Sequence, residues 1–346
     1  MTDGDKALSL ESDAASEAKP HGFTLSDMVT CDACLRANPP TRVRCLYCGA
    51  DLPVSSTDHE TEPAGDTTDR AGSAGDGHYV VMTPNQTEIP SEARLTEIAT
   101  LLHLKTREVQ SVLNRSRTFP VARAATPEQA IKLIEKLRAL GIEADTFTAD
   151  GLALDEPAKK IRALEFSDEG FIAVQLSGGE RVSMRWDDLI LIVAGRLLVN
   201  RVEVEERRRR GRPEPLDTRE LFSDEAVIDL YSRSTDAGCR ITANGFDFSC
   251  LGAEKAMTTF ENLTTLSGQL RKRAPNVELD DSYVSLRPVL QNVWPLEAQT
   301  RKGDWRRSGA GKFDIATVTT TDNEAQFNRY SQLRHRLKLR EMDGSG

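Results

Sequence analysis

The chain has 346 residues with 54 acidic and 45 basic side chains, a net charge of −9, and is long enough for two or three domains with cores of their own. The acidity is local: residues 1–77 carry 14 acidic against 6 basic side chains, and the rest of the chain sums to −1. This excludes a uniformly basic polyanion-binding protein, and the longest apolar run, around Leu189 to Ala194, falls far short of the about 20 residues of a membrane-spanning helix.

Residues 1–27 and 54–77 are built from Ser, Thr, Asp, Glu, Ala and Gly. Such segments bury too little apolar area to offset the entropy of ordering and are predicted to be disordered, an acidic tail and a linker. Between them lies an island, residues 28–53, that holds four of the six cysteines. The start of the chain lacks the basic residues and the apolar stretch of a secretory signal. A cytoplasmic location is therefore expected.

From His78 to about Asp150 the pattern predicts strand, helix, helix, strand, helix, strand. Tyr79 to Met82 reads as a strand, and Ser91 caps a helix carrying Leu95, Ile98, Leu101 and Leu102. Thr106 caps a second helix through Val109, Val112 and Leu113, and Thr118 to Ala124 forms the next strand. Thr126-Pro127-Glu128-Gln129 is a capping box with proline in the first helical position, followed by Ile131, Ile134, Leu137, Leu140 and a stop at Gly141. Ile142 to Phe147 is the last strand of an α+β (βααβαβ) domain.

Residues 158–275 switch to the alternating period of strands, with a Gly178-Gly179 hairpin and strands at Leu189–Val193, Leu197–Val204, Val227–Tyr231, Cys239–Ala243 and Phe246–Cys250. Short strands at this spacing predict a mainly antiparallel β barrel, and the helix Lys255 to Arg273 is of a size to close one end. The charge run Arg207–Arg210 with Arg212 reads first as a solvated loop beside compensating carboxylates, with a phosphoinositide or nucleic-acid patch as the alternative. For residues 276–346 a helical extension is expected: a helix from Asp281 to Val293, a basic loop from Arg301 to Lys312, and a helix from about Asn323 to Arg340. One face of that last helix carries Phe327, Tyr330, Leu333 and Leu337; the other is basic, with Arg329, Arg334, Arg336, Lys338 and Arg340.

The most specific chemical pattern is Cys31-x2-Cys34-x10-Cys45-x2-Cys48, followed by Gly49. Zinc prefers four thiolates in a tetrahedron, and each Cys-x2-Cys turn places two sulfurs around one metal while its backbone N–H groups offset thiolate charge. A disulfide framework fits poorly with the absent secretory start, and a redox pair needs a strand-turn-helix context that the island is too short to supply. With all four positions filled by protein, the expected role is one structural zinc ion and no metal catalysis.

With Asn38 between the two pairs, this pattern resembles the Ran-binding-protein (RanBP) type of zinc finger, whose members bind ubiquitin, small GTPases or single-stranded RNA. Val29 stands where that family has the tryptophan that stacks on bases, and Leu35 to Thr41 lacks the Thr-Phe pair of the ubiquitin binders. The stretch Cys45 to Pro53 is equally similar to a bacterial zinc ribbon. Over residues 28–50 three arginines, Arg36, Arg42 and Arg44, stand against Asp32, and these with Asn38 and Tyr47 are the candidate binding residues of the island.

The element order of residues 78–150, with Val121 to Ala144 closing it, resembles the carboxy-terminal domain of the bacterial ribosomal stalk protein and the Clp protease adaptor; both are protein-docking folds. Residues 158–275, with Trp186-Asp187-Asp188-Leu189-Ile190, resemble the bacterial pleckstrin-homology-like superfold, some members of which bind lipids.

Gly309-Ala310-Gly311-Lys312 lacks the spacing and the following Ser or Thr of a phosphate loop. The histidines His21, His59, His78, His103 and His335 share no metal spacing, and no Ser, His, Asp or Cys, His set suggests an active centre. The chain thus reads as a multidomain, non-enzymatic zinc-binding adaptor or regulator of the bacterial cytoplasm with a protein partner. A nucleic-acid or ribosome-associated role through the ribbon arginines and last helix is the second reading; peripheral lipid binding through the β domain is the third.

Overall fold

The computed structural model describes residues 28–31, 36–39, 42–47, 50, 52, 77–83, 90–115, 117–148, 158–209, 212–235, 237–296, 298–302, 306–307 and 313–343. The segments expected to be disordered lie outside these residues apart from Gly77, as do Cys34, Cys48 and the glycine-containing stretch 308–312. Strands β1 (Val29–Thr30) and β2 (Ala37–Asn38) pair antiparallel in the cysteine-containing island. There follow β3 (His78–Met82), α1 (Glu92–Leu102), α2 (Thr106–Leu113), β4 (Phe119–Ala124), α3 (Pro127–Ala139) and β5 (Ala144–Thr148), with a three-stranded antiparallel sheet in the order β4-β3-β5.

Local chemistry sets these boundaries. The Ser91 hydroxyl accepts from the Arg94 amide and the Thr126 hydroxyl from the Gln129 amide, each satisfying an otherwise orphaned N–H at a helix start. Helix α1 ends on His103, whose φ of 54° puts it in the left-handed region. Lys105, not Thr106, is the capping residue of α2. Along α3 the core side is Ala130, Ile134 and Leu137, while Ile131 is 50% exposed. A stripe repeated every three residues drifts off one face of a helix that turns every 3.6.

The large sheet is mixed and, among the described residues, has ten strands: β6 (Lys159–Phe166), β7 (Gly170–Gln175), β8 (Arg181–Arg185), β9 (Leu189–Arg209), β10 (Arg212–Ser232), β11 (Cys239–Thr242), β12 (Glu278–Asp280), β13 (Ala298–Lys302), β14 (Arg306–Arg307) and β15 (Phe313–Asp322). Its order is β13-β15-β9-β10-β11-β6-β7-β8, with β12 also on β9 and β14 on β15. Helices α4 (Thr259–Arg273), α5 (Tyr283–Val293) and α6 (Glu324–Asp343) pack on it.

Four expectations are corrected here. Among the described residues no closed barrel forms: the strand path has two ends, and β9 and β10, each 21 residues, run on past the core instead of curling into a small ring. The break expected between Val193 and Leu197 is absent, because Gly195 serves close packing; a Cβ there would lie 2.4 Å from Cε2 of Phe327. The charge run is not a loop, since Arg207–Arg209 and Arg212 end the paired strands β9 and β10. The carboxy-terminal region is not purely helical: α5 and α6 form, but residues 298–302, 306–307 and 313–322 extend the sheet. In addition, Phe248–Glu254 forms a 3-10 turn in place of most of the strand expected at Phe246–Cys250.

The sheet buries both faces. On β10, Val227, Asp229 and Tyr231 face the core shared with α5, α6 and the small sheet, while Ile228 and Leu230 face the core under Leu263, Leu266 and Leu270 of α4. Helices α5 and α6 fill the space between the two sheets: Trp294 meets Tyr79 of β3, Tyr330 meets Phe119 of β4, and Phe327 lies on Gly195 of β9. Asn323, at the head of α6, accepts from the Leu198 amide at 2.7 Å and donates to the Arg196 carbonyl at 2.9 Å. Residues 78–148 therefore share one continuous core with the carboxy-terminal helices.

The basic side of α6 is only partly a solvent face. Arg334 is buried, its Nε 2.7 Å from Oδ2 of Asp280, with Nη2 donating to Glu278 and Nη1 to the Thr118 carbonyl. Among the described residues no helix is long and apolar enough to cross a membrane.

Candidate metal centre

Cys31 directly follows β1, and its amide donates to the Arg36 carbonyl at 3.0 Å. Cys45 repeats the arrangement, its amide donating to the Ala50 carbonyl at 2.7 Å. Each cysteine therefore opens a loop closed by a bond to the residue five positions on. Both cysteines are buried, in a small core with Leu52 that Val29 and Ala50 complete.

The Cys45 sulfur accepts from the Tyr47 amide at 3.4 Å and from the Asn38 side-chain amide at 3.5 Å. Asn38 is itself fully buried: its Oδ1 accepts from the Leu46 amide at 2.9 Å and its Nδ2 donates to the Arg36 carbonyl at 2.8 Å. Two N–H donors aimed at one buried sulfur favour the thiolate over the thiol, and the thiolate is the form that ligates zinc. The residues present thus fit the metal suggested by the cysteine spacing. Among the described residues no group of three or more His, Cys, Asp or Glu side chains gathers; Cys34 and Cys48, the other members of the pattern, lie outside them.

The candidate binding residues divide into three kinds. Asn38 is an internal brace rather than a surface contact. Arg36 is held between rings, its guanidinium carbon 4.7 Å from the Tyr47 centroid and 4.6 Å from that of Phe222 on β10, which seats the island against the large sheet. Arg42, Arg44 and Tyr47 are exposed. The spacing of the cysteines did not single out Val43 and Leu46, which stand out 73% and 51% exposed beside Tyr47 at 55%. For Leu46 the available signal was position: it lies between Cys45 and Cys48, where its backbone amide is committed to Asn38 and its side chain is exposed; Val43, two residues before Cys45, carried no such signal.

Elsewhere the buried ionisable groups are spent on one another. Arg240 lies opposite Asp229 in the β10–β11 register and donates to both carboxylate oxygens at 2.7 Å, while Ser331 of α6 donates to Oδ2 at 2.7 Å. Asp280 receives the Tyr330 hydroxyl at 2.8 Å and the Ser282 amide at 3.0 Å, with Arg117 3.3 Å away. His335 is buried, stacked on Tyr231 with Nε2 3.1 Å from the Ser232 carbonyl. An open apolar groove of about 480 Å³ lies between α4 and the sheet, with Phe260, Leu263, Gly268 and Arg271 on its helical side. No family model matches the chain, and neither a curated protein nor a solved structure matches it at a significant level.

Proposed function

We propose that this protein is a non-enzymatic adaptor of the bacterial cytoplasm whose zinc ribbon, residues 28–53, docks another protein. The observation that carries this reading is the exposure of Val43, Leu46 and Tyr47 together, with Arg42 and Arg44 exposed among them. Large apolar and aromatic side chains held out from a rigid turn, interleaved with arginine, have the composition of a protein-binding hot spot. The partner surface that suits them has an apolar pocket rimmed by carboxylates. Zinc held by Cys31, Cys34, Cys45 and Cys48 would supply rigidity and no reaction, since four protein ligands leave no open position. The pairing of buried Asp229 with Arg240 and of Asp280 with Arg334 supports a non-catalytic reading, because these groups face each other and not a cavity.

The test is affinity capture with the full chain and with the double variant Leu46→Asp, Tyr47→Asp. Captured proteins should fall at least about tenfold in the variant, with zinc content and circular dichroism unchanged. Retention of the same proteins by the variant would remove the reading.

A further inference from the structure

We propose that the outward face of α4 is a self-complementary interface on which a second copy of this chain docks, antiparallel and about a two-fold axis. Helix α4 buries Leu263, Leu266 and Leu270 against the sheet. At 3.6 residues per turn its opposite side carries Phe260, Glu261, Thr264, Gly268 and Arg271, with Met257 just ahead of the helix. All six are exposed.

The solvent face of a helix is ordinarily polar. Here Met257 is fully exposed and Phe260 is 61% exposed, and Phe260 stands at the lip of the apolar groove that α4 makes with the sheet. Val284 of α5, also exposed, lines that groove from the other side, and Ala194 and Ala226 line it from the sheet. Gly268 marks a vacancy along the same stripe. Glycine inside a helix costs backbone entropy, and a Cβ at this position would meet nothing within 4 Å. Close packing within the chain therefore does not account for it, in contrast to Gly195.

The two ends of the stripe differ in shape and in charge. The amino-terminal end has the apolar knobs Met257 and Phe260 and the carboxylate of Glu261. The carboxy-terminal end has the open place at Gly268 and the cations Arg271 and Lys272, neither of which pairs with another described residue. An acid at one end and bases at the other are complementary to the same stripe reversed, which a second copy supplies. With the axis through Thr264, Phe260 of each copy lies opposite Gly268 of the other, and Glu261 lies about one turn from Arg271. Each groove, of about 480 Å³, then receives the phenyl ring of the other copy. Every contact is made twice, as in an isologous interface.

Sedimentation equilibrium of the full chain, from micromolar to submillimolar concentration, measures the association. The native chain is expected to be a concentration-dependent dimer. Phe260→Asp charges the knob and Gly268→Leu fills the vacancy; each should weaken the dimer at least about tenfold, with circular dichroism unchanged because both positions are exposed. Glu261→Arg should weaken it too, and Glu261→Arg combined with Arg271→Glu should restore it, since the pair is then exchanged and not removed. Three results would overturn the proposal: a chain that stays monomeric at the highest concentration, undiminished association in Phe260→Asp or Glu261→Arg, or no recovery on charge exchange. The variant Leu46→Asp, Tyr47→Asp should dimerise like the native chain, which keeps this outcome independent of the docking function proposed for the ribbon. A dimer lost in that variant and kept in Phe260→Asp would put the interface on the ribbon and sink the proposal.

Discussion

Asp229→Ala is expected to destabilise the folded chain by about 3–5 kcal/mol, because it strands a buried guanidinium. Arg240 is fully buried, and its two short hydrogen bonds both end on Asp229. Its remaining neighbours are weaker substitutes: Glu324 at 3.7 Å and the Phe327 ring at 5.0 Å. The same carboxylate also accepts from Ser331, which in turn lies 2.9 Å from the Tyr231 hydroxyl, so one substitution unlinks β10, β11 and α6. Urea unfolding followed by circular dichroism measures the loss. A double variant, Asp229→Leu with Arg240→Met, should recover most of it, since replacing both charges by apolar groups removes the desolvation cost along with the attraction.

Arg334→Met is expected to cost a similar about 3–5 kcal/mol at neutral pH, with a pH dependence that identifies its partner. Burial alone would raise the Asp280 carboxyl. The Arg334 guanidinium, the Ser282 amide, the Tyr330 hydroxyl and Arg117 outweigh that effect and hold it below the usual carboxylate range. A carboxyl depressed in the folded state contributes stability that is present above its unfolded value of about 3.9 and lost as pH falls through the folded value. The gap in stability between the native chain and Arg334→Met should therefore be widest near neutrality and narrow below about pH 4. A gap that stays constant on acidification would show that Arg334 acts by packing alone. Through Thr118 and Arg117 this cluster also ties residues 78–148 to β12 and α6, so the variant should loosen that junction first.

What the sequence disclosed follows its periodicity. The run Thr126-Pro127-Glu128-Gln129 states a helix start in local chemistry, and α3 begins there. Alternation stops at Val204, and from Glu205 to Arg212 every residue but Gly211 is charged. With no apolar face to betray a strand, that stretch reads as loop; the ladders with β10 and β15 supply its structure from outside. Gly195 reads as a break because local sequence cannot show Phe327, more than a hundred positions away, descending on it. Arg334 reads as part of a solvent face for the same reason: its carboxylates are on β12.

In the island, Cys31, Cys45 and Asn38 were legible because metal spacing is a local pattern. The outward position of Val43 and Leu46, and the stacking of Arg36 on Phe222, depend on the folded turn and on a strand far along the chain.

The docking role proposed for the island requires it to be a closed thiolate centre for zinc. Native mass spectrometry of the intact chain, purified without added metal, tests this most directly. The expected result is the mass of the chain plus a single zinc ion, lost in Cys45→Ser together with the folded signature of the island. A metal-free native chain whose mass shows paired cysteines as disulfides, or a Cys45→Ser variant with unchanged zinc, would contradict it.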